Sequence, residues 1–400
     1  MKRLLVSSAV ALSCFSAQAT ELEISLYYSD AFYNDSGVLL SSDIVGFYRS
    51  IDAANALFDE AGANLTFVPA KISGEDVSVF PNGKTTRQTR GLLDYGTMEV
   101  VSDSASHFAV GLGYSQGGVL GVAVPYYDYG YATPSINTKK SAVASGVMSR
   151  TDSRYPYILA HEVLHSFGGS HDESGAQSFD SLGNGEDYGH GDICDDGEYS
   201  LMHELASTGA SAPLVSGQGG CNSGHGDMVR FINTYAPLVA NDAVPLNMNT
   251  LKMVAIEDTA ESEFEFTVTR SINTSQPSTV ELHISGSGAT ITNEIIPVEI
   301  DFLANELSKT VRVPFSSIHP LFEEAKFIDG QVYAVAISDD EVMKELLDVT
   351  ALNTAWTDTP DPIEPDDGGG DVTSTGGSGG GSMSWFGLIT LLMLRKLRRL

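Results

Sequence analysis

The chain has 400 residues, of which 52 are acidic and 22 basic, giving a net charge of −30 at neutral pH. A surface this acidic repels phosphate backbones and anionic headgroups, which argues against nucleic acid or an anionic membrane as partner. A length of 400 residues exceeds one ordinary core and predicts two domains plus tails.

The first nineteen residues carry Lys2 and Arg3, an apolar run from Leu4 to Phe15, and Ala17-Gln18-Ala19 as a cleavage site. This is the pattern of a secretory signal peptide over 1–19, so export is expected and Cys14 leaves with the peptide. A strand follows at once, with Leu22, Ile24, Leu26 and Tyr28 alternating with polar or smaller positions. Next comes a helix capped by Asp43, with Ile44, Phe47, Tyr48, Ile51, Ala54, Leu57 and Phe58 on one face and Gly62 as its stop. Leu65 to Val68 reads as a second strand ending at Pro69, and Pro81-Asn82-Gly83 as a turn. A weaker helical stretch over 89–101 precedes strands at His107 to Val110 and Val119 to Pro125. The expected class is α/β.

Residues 161–172 then read His161-Glu162-Val163-Leu164-His165-Ser166-Phe167-Gly168-Gly169-Ser170-His171-Asp172. On a helix, positions i and i+4 share a face, so His161 and His165 can point two imidazoles at one metal, with Glu162 facing the water on it. Gly168 is suited to a left-handed turn just past a helix end, which would return His171 as a third ligand. Three His with one open position is a catalytic zinc arrangement. Asp152 or Ser153 can cap this helix, and Pro156 suits its first turn.

This H-E-x-x-H-x-x-G-x-x-H-D stretch resembles the metzincin metallopeptidases, and the Asp after the third His resembles their reprolysin-like (adamalysin) branch. Ser200-Leu201-Met202-His203-Glu204 resembles the Met turn of that family, and Cys221 to Phe231 its closing helix. The resemblance covers roughly 20–237. It implies an α/β sheet above a zinc helix, zinc held by His161, His165 and His171, Glu162 as general base, and Met202 as an apolar floor rather than a ligand. It also implies that Asp172 holds local structure, and that Val119 to Val124 is an edge along which an extended substrate lies.

Two cysteines remain in the exported chain. An even pair in an oxidising compartment predicts a disulfide between Cys194 and Cys221, the alternative being two free buried thiols. Between them and the motif, Asp172 to Tyr199 is acidic and glycine-rich. Carboxylates this dense can bind calcium, although a solvated acidic loop is the reading that composition favours. His190, His203 and His225 are expected at the surface or in hydrogen bonds rather than on a metal. The helix from Asp227 to Tyr235 should end at Pro237, the expected domain boundary.

Residues 241–355 change character. Alternations at 264–268, 280–284, 298–302, 311–315 and 332–337, separated by short turns, predict an all-β sandwich as an accessory domain. Phe264 to Arg270 and Ser308 to Val313 loosely resemble Calx-β repeats. From 356 to 382 the chain is rich in Pro, Asp, Gly and Ser, a flexible linker.

Residues 383–400 hold a short apolar run to Leu394 and a basic end, Arg395, Lys396, Arg398 and Arg399. The run is short of the roughly 20 residues that span a bilayer comfortably. Glycines, a short apolar helix and a basic tail resemble the bacterial GlyGly-CTERM sorting signal. That resemblance implies transient membrane anchoring, cleavage by an intramembrane sorting protease, passage through secretion machinery, and a secreted or cell-surface product of a Gram-negative bacterium. The two ends hold six basic residues and no acid, so their loss would take the charge from −30 to −36.

The expected function is hydrolysis of protein or peptide substrates by one catalytic zinc. The competing reading is a non-catalytic surface adhesion protein that works through its β-domain. All three His and Glu162 are present, which favours the enzyme.

Overall fold

In a computed structural model, the residues described are 19–28, 40–74, 107–113, 121–123, 141–145, 157–181, 186–203, 214–221, 225–242, 245–258, 261–272, 275–287, 295–327 and 330–352. The signal peptide, the 81–83 turn, the 89–101 helix, Asp152, Ser153, Pro156, the linker and the C-terminal run lie outside them. Among the described residues no helix is long and apolar enough to cross a membrane.

The first sheet is built from β1 (Thr20–Tyr28), β2 (Leu65–Gly74), β3 (Phe108–Gly113), β4 (Gly121–Ala123) and β5 (Ser141–Ser145), in the order β2-β1-β3-β5-β4. Neighbours are parallel except β4, which runs antiparallel to β5 at the edge. Helix α1 (Ser41–Ala61) connects β1 to β2 and ends at Gly62 with φ of +73°. Leu40, not Asp43, is its N-cap, and the Asp43 carboxylate reaches back to accept the Leu40 N–H at 3.0 Å. Strand β2 continues past Pro69, where the sequence reading ended it. β2 is an edge strand, and a proline there removes no bond from the interior of the sheet.

Helix α2 (Ile158–Ser166) carries the motif and packs on β4, β5 and α1. Phe167, at its end, stacks on Phe108 of β3 at 5.2 Å between ring centres. Helix α3 (Glu173–Ser181) occupies part of what composition presented as a loop. Helix α4 (Met228–Asp242) runs through Pro237 rather than stopping there. Its buried stripe of Phe231, Ile232, Ala236 and Val239 outweighs the single backbone donor that proline removes.

The second sheet comprises β6 (Asn249–Asp258), β7 (Glu263–Arg270), β8 (Ser278–Gly286), β9 (Val298–Phe302), β10 (Ser308–Pro314), β11 (Val332–Ile337), β12 (Glu341–Met343) and β13 (Leu347–Asp348). Its order is β10-β7-β6-β12-β11-β8-β9, with β13 on β11. Lys309 Nζ of β10 donates to the Asp301 carbonyl of β9, so the two ends of the order meet and the sheet curls on itself. The region is not all-β: the chain turns at Pro314 into helix α5 (Phe315–Phe327), where the 311–315 alternation had suggested strand throughout. Phe264 stacks on Phe315 and Phe322 of that helix, which recruits Phe315 from the strand pattern.

The described residues belong to one compact unit, Met1–Trp356, because α1 serves both sheets. His283, Ser285 and Val335 would face outward on a half-exposed sheet, yet all three are buried. Tyr48 donates to the Met343 carbonyl at 2.8 Å, Arg49 to the Ser287 carbonyl at 2.7 Å, and Ser41 to the Ile295 carbonyl at 3.0 Å. The continuous apolar run of β11 is the sequence counterpart of burial on both faces.

Candidate metal centre

His161 and His165 lie one helical turn apart on α2, and His171 returns to meet them. The three Nε2 atoms form a triangle with edges of 3.0 Å (His161 to His165), 3.1 Å (His161 to His171) and 2.9 Å (His165 to His171). Among the described residues this is the one group of three or more candidate ligands that converges.

The return of His171 is built by a helix stop. Gly168 adopts a φ of +103°, a conformation that costs an L side chain roughly 1–2 kcal/mol. Its N–H bonds the His165 carbonyl at 2.9 Å, and the Gly169 N–H bonds the Leu164 carbonyl at 3.0 Å. This pair of bonds is the Schellman pattern with glycine at its left-handed position. The chain then docks on a neighbour: Ser170 N–H bonds the Gly189 carbonyl at 2.9 Å, and Gly191 N–H bonds the Ser170 carbonyl at 3.0 Å. Asp172 accepts the Gly175 N–H at 2.7 Å and so caps α3, which fixes the chain on the far side of His171.

The outer nitrogens determine what the inner ones offer. His161 Nδ1 donates to the Leu201 carbonyl at 2.6 Å, and His165 Nδ1 donates to the Gly169 carbonyl at 2.8 Å. A carbonyl only accepts, so each Nδ1 holds the proton and each neutral ring turns a lone pair inward at Nε2. Burial, the largest cause, lowers the pKa of His161 to about 4 and that of His165 to about 3, aided by the neighbouring imidazoles. Two lone pairs at 3.0 Å repel each other, and a cation between them reverses that repulsion. A tetrahedral zinc with bonds of about 2.0–2.1 Å has nitrogen–nitrogen edges of roughly 3.3–3.4 Å, close to the triangle seen here. The donor set fits that ion.

Glu162 is buried, and burial pushes its carboxyl up to about 8. Met202 is fully buried at the turn Ser200 to His203, where the His203 N–H bonds the Ser200 carbonyl at 3.0 Å. A Cβ placed on Gly169 would lie 3.3 Å from Met202 Cε and 3.2 Å from Met228 Cε, so both methionines lie against the backbone between the second and third His. A Cβ on Gly191 would lie 2.2 Å from the His203 nitrogen, so the backbone there abuts the turn directly.

Cys194 and Cys221 form a disulfide across a separation of 27 residues. The remaining histidines stay outside the triangle. His190 is buried and donates from Nδ1 to the Gly191 carbonyl, His203 stacks on Tyr199, and the exposed His225 lies 3.3 Å from Glu173. Sequence reading missed the groups that orient the three imidazoles, Leu201 C=O, Gly169 C=O and the Ser170–His190 bridge, because they are backbone. The one signal for them was the density of glycines at 168, 169, 189 and 191, which mark close approach.

No protein-family model matches the chain, and no curated protein matches it. One similar solved structure is a chaperone–substrate complex, with a TM-score of 0.39 and 12% identity over 57% of this chain. The chain spans about a third of that protein's length, 36%. Wild-type OgpA from Akkermansia muciniphila, in two crystal forms, matches with TM-scores of 0.24 and 9% identity, covering 83% and 86% of this chain and 92% and 96% of that one.

Proposed function

We propose that the chain is a zinc endopeptidase of the metzincin type. The observation that carries this reading is the convergence of the His161, His165 and His171 Nε2 atoms, two of them locked in the metal-binding tautomer. Zinc, when bound, supplies a Lewis acid for the scissile carbonyl and lowers the pKa of an attacking water. Glu162 takes the proton from that water and passes it to the leaving amine. A carboxyl whose affinity for a proton is raised towards neutrality suits both transfers.

Further features support the same reading. Strand β4 is an antiparallel edge strand packed beside α2, where an extended peptide can add as a further strand. Met202 lies against the metal-binding turn without being a ligand, and Asp172 acts by capping α3. We read the curled second sheet as a sandwich-type module, and residues 1–19 and 383–400 as export and sorting signals.

Incubation of residues 20–375 with denatured casein and a quenched peptide library tests the activity. Parallel samples contain a zinc chelator or carry Glu162→Ala. Cleavage lost in both supports the peptidase, whereas cleavage that survives both removes it.

A further inference from the structure

We propose that the Cys194–Cys221 disulfide gates metal acquisition, so that the chain takes up zinc tightly only after this bond has closed. The proposal rests on the zinc reading above and adds a control to it.

Two of the three His are anchored through the segment that the disulfide closes. His161 is oriented by the Leu201 carbonyl, and Leu201 lies inside the segment that the disulfide closes. The Leu201 N–H in turn bonds the Leu214 carbonyl at 2.7 Å, within the same segment. His171 follows Ser170, which is paired to the 189–191 backbone. That backbone is held by Ser216, whose hydroxyl donates to the His190 carbonyl at 2.6 Å. Ser216 is also inside the closed segment, and its oxygens accept the Met228 N–H at 3.2 Å and the Val229 N–H at 3.1 Å. Only His165 takes its orientation from its own helix end, through Gly169.

The disulfide fastens the two arms of this segment to each other. Beside it, Asp195 N–H bonds the Gly220 carbonyl at 2.8 Å, and no further described bond joins 194–199 to 217–221. One arm therefore carries the hold on His161 and the other the hold on His171. With the bond open, the described parts of the two arms are joined by the Asp195–Gly220 and Leu201–Leu214 backbone hydrogen bonds alone, and the cost of ordering the arms falls on metal binding. Closure passes two protons and two electrons from the two thiols to an external disulfide, which leaves as a dithiol. A small dithiol runs the same exchange backwards.

The test uses metal-stripped full chain, oxidised or reduced with a small dithiol, titrated with zinc against a chromogenic zinc chelator while circular dichroism follows the fold. The expected result is at least a ten-fold weaker zinc affinity after reduction, with helix content retained. Ser216→Ala, with the disulfide intact, should weaken zinc several-fold with helix content retained, and should also lower the melting temperature of the metal-free protein, because two buried hydrogen bonds are lost. A reduced chain that unfolds overturns the gate and makes the bond a purely structural one. Equal affinity in the folded oxidised and reduced states, or an unchanged affinity in Ser216→Ala, overturns the gate while leaving the zinc reading intact. No zinc uptake by the oxidised protein overturns both.

Discussion

The Leu201 carbonyl accepts a hydrogen bond from His161 Nδ1 at 2.6 Å, so a residue 40 positions downstream selects the ring nitrogen that His161 presents to its partners. A backbone carbonyl cannot be mutated away, but its support can be disturbed. Gly191 abuts the turn so closely that a Cβ would lie 2.5 Å from the Met202 carbonyl carbon and 2.2 Å from the His203 nitrogen. Gly191→Ala must displace that turn. It should destabilise the chain by about 1–3 kcal/mol in urea titration and weaken zinc binding, as forced overpacking does. An alanine variant with unchanged affinity would detach the turn from the metal site.

Glu162→Gln separates proton transfer from metal binding. The three His of the proposed zinc site remain, so zinc stoichiometry measured by atomic absorption should stay at one per chain. Turnover should fall by about 10²–10⁴-fold, the usual share of a general base. A variant that loses zinc together with activity would assign Glu162 a structural part instead.

In the metal-free protein, His161 and His165 should contribute an acid limb and Glu162 an alkaline limb to the dependence of stability on pH. His161 and His165 have pKa values lowered by burial to about 4 and about 3, so the unfolded chain takes up protons first as pH falls below 6.5. Their contribution is present above that value and is lost as pH falls towards 4. Glu162 has the opposite sign. Its pKa is raised to about 8, so the folded state holds the extra proton below 8, and stability is lost as pH rises from 4.5 through 8. Thermal melts across pH 4–9 check both limbs. Glu162→Gln should abolish the alkaline one and leave the acid one.

The motif could be read before the structure because its groups are side chains at fixed spacing. The helix repeat pairs His161 with His165, and Gly168 announces the turn that returns His171. The 5.2 Å stack of Phe108 on Phe167 was not legible, because it joins strands and helix through distant contacts that no local pattern encodes. Strand β5 reads Ser-Ala-Val-Ala-Ser, too small and too short to signal, and is a strand because β3 and β4 flank it. Helix α3 was hidden by the acidity around it, although Asp172 before Glu173 is a serviceable cap. In the second sheet, alternation found five strands but not α5, since Phe315 fits either period until Phe264 and Phe322 claim it.

Sharing α1 between the sheets predicts that they unfold together. The Tyr48 hydroxyl donates to the Met343 carbonyl from a fully buried position, and burial raises its pKa well above the ordinary tyrosine value. Tyr48→Phe leaves that carbonyl without its partner at a cost of about 1–3 kcal/mol. Circular dichroism and tryptophan-independent probes of each sheet should still give one coincident transition, shifted to lower urea. Two separated transitions would make the second sheet an independent module.

The buried pair of Arg270 and Glu341 provides a sharper test within the second sheet. Arg270 Nε lies 2.6 Å from Glu341 Oε2, with 3% and 0% of the side chains exposed. The guanidinium also sits 5.3 Å over the Phe302 ring. Burial raises the Glu341 pKa and the Arg270 hydrogen bond opposes it, so the ion pair offsets only part of its desolvation. Removing Glu341 takes the carboxylate from a guanidinium that is 3% exposed, so Glu341→Ala should cost about 3–5 kcal/mol. Replacing both, as Arg270→Met with Glu341→Leu, removes the buried charge as well and should recover most of that loss. Urea denaturation of the single and double variants gives the comparison. A double variant as unstable as the single would mean that Glu341 acts through its packing, between β11 and β6, rather than through its charge.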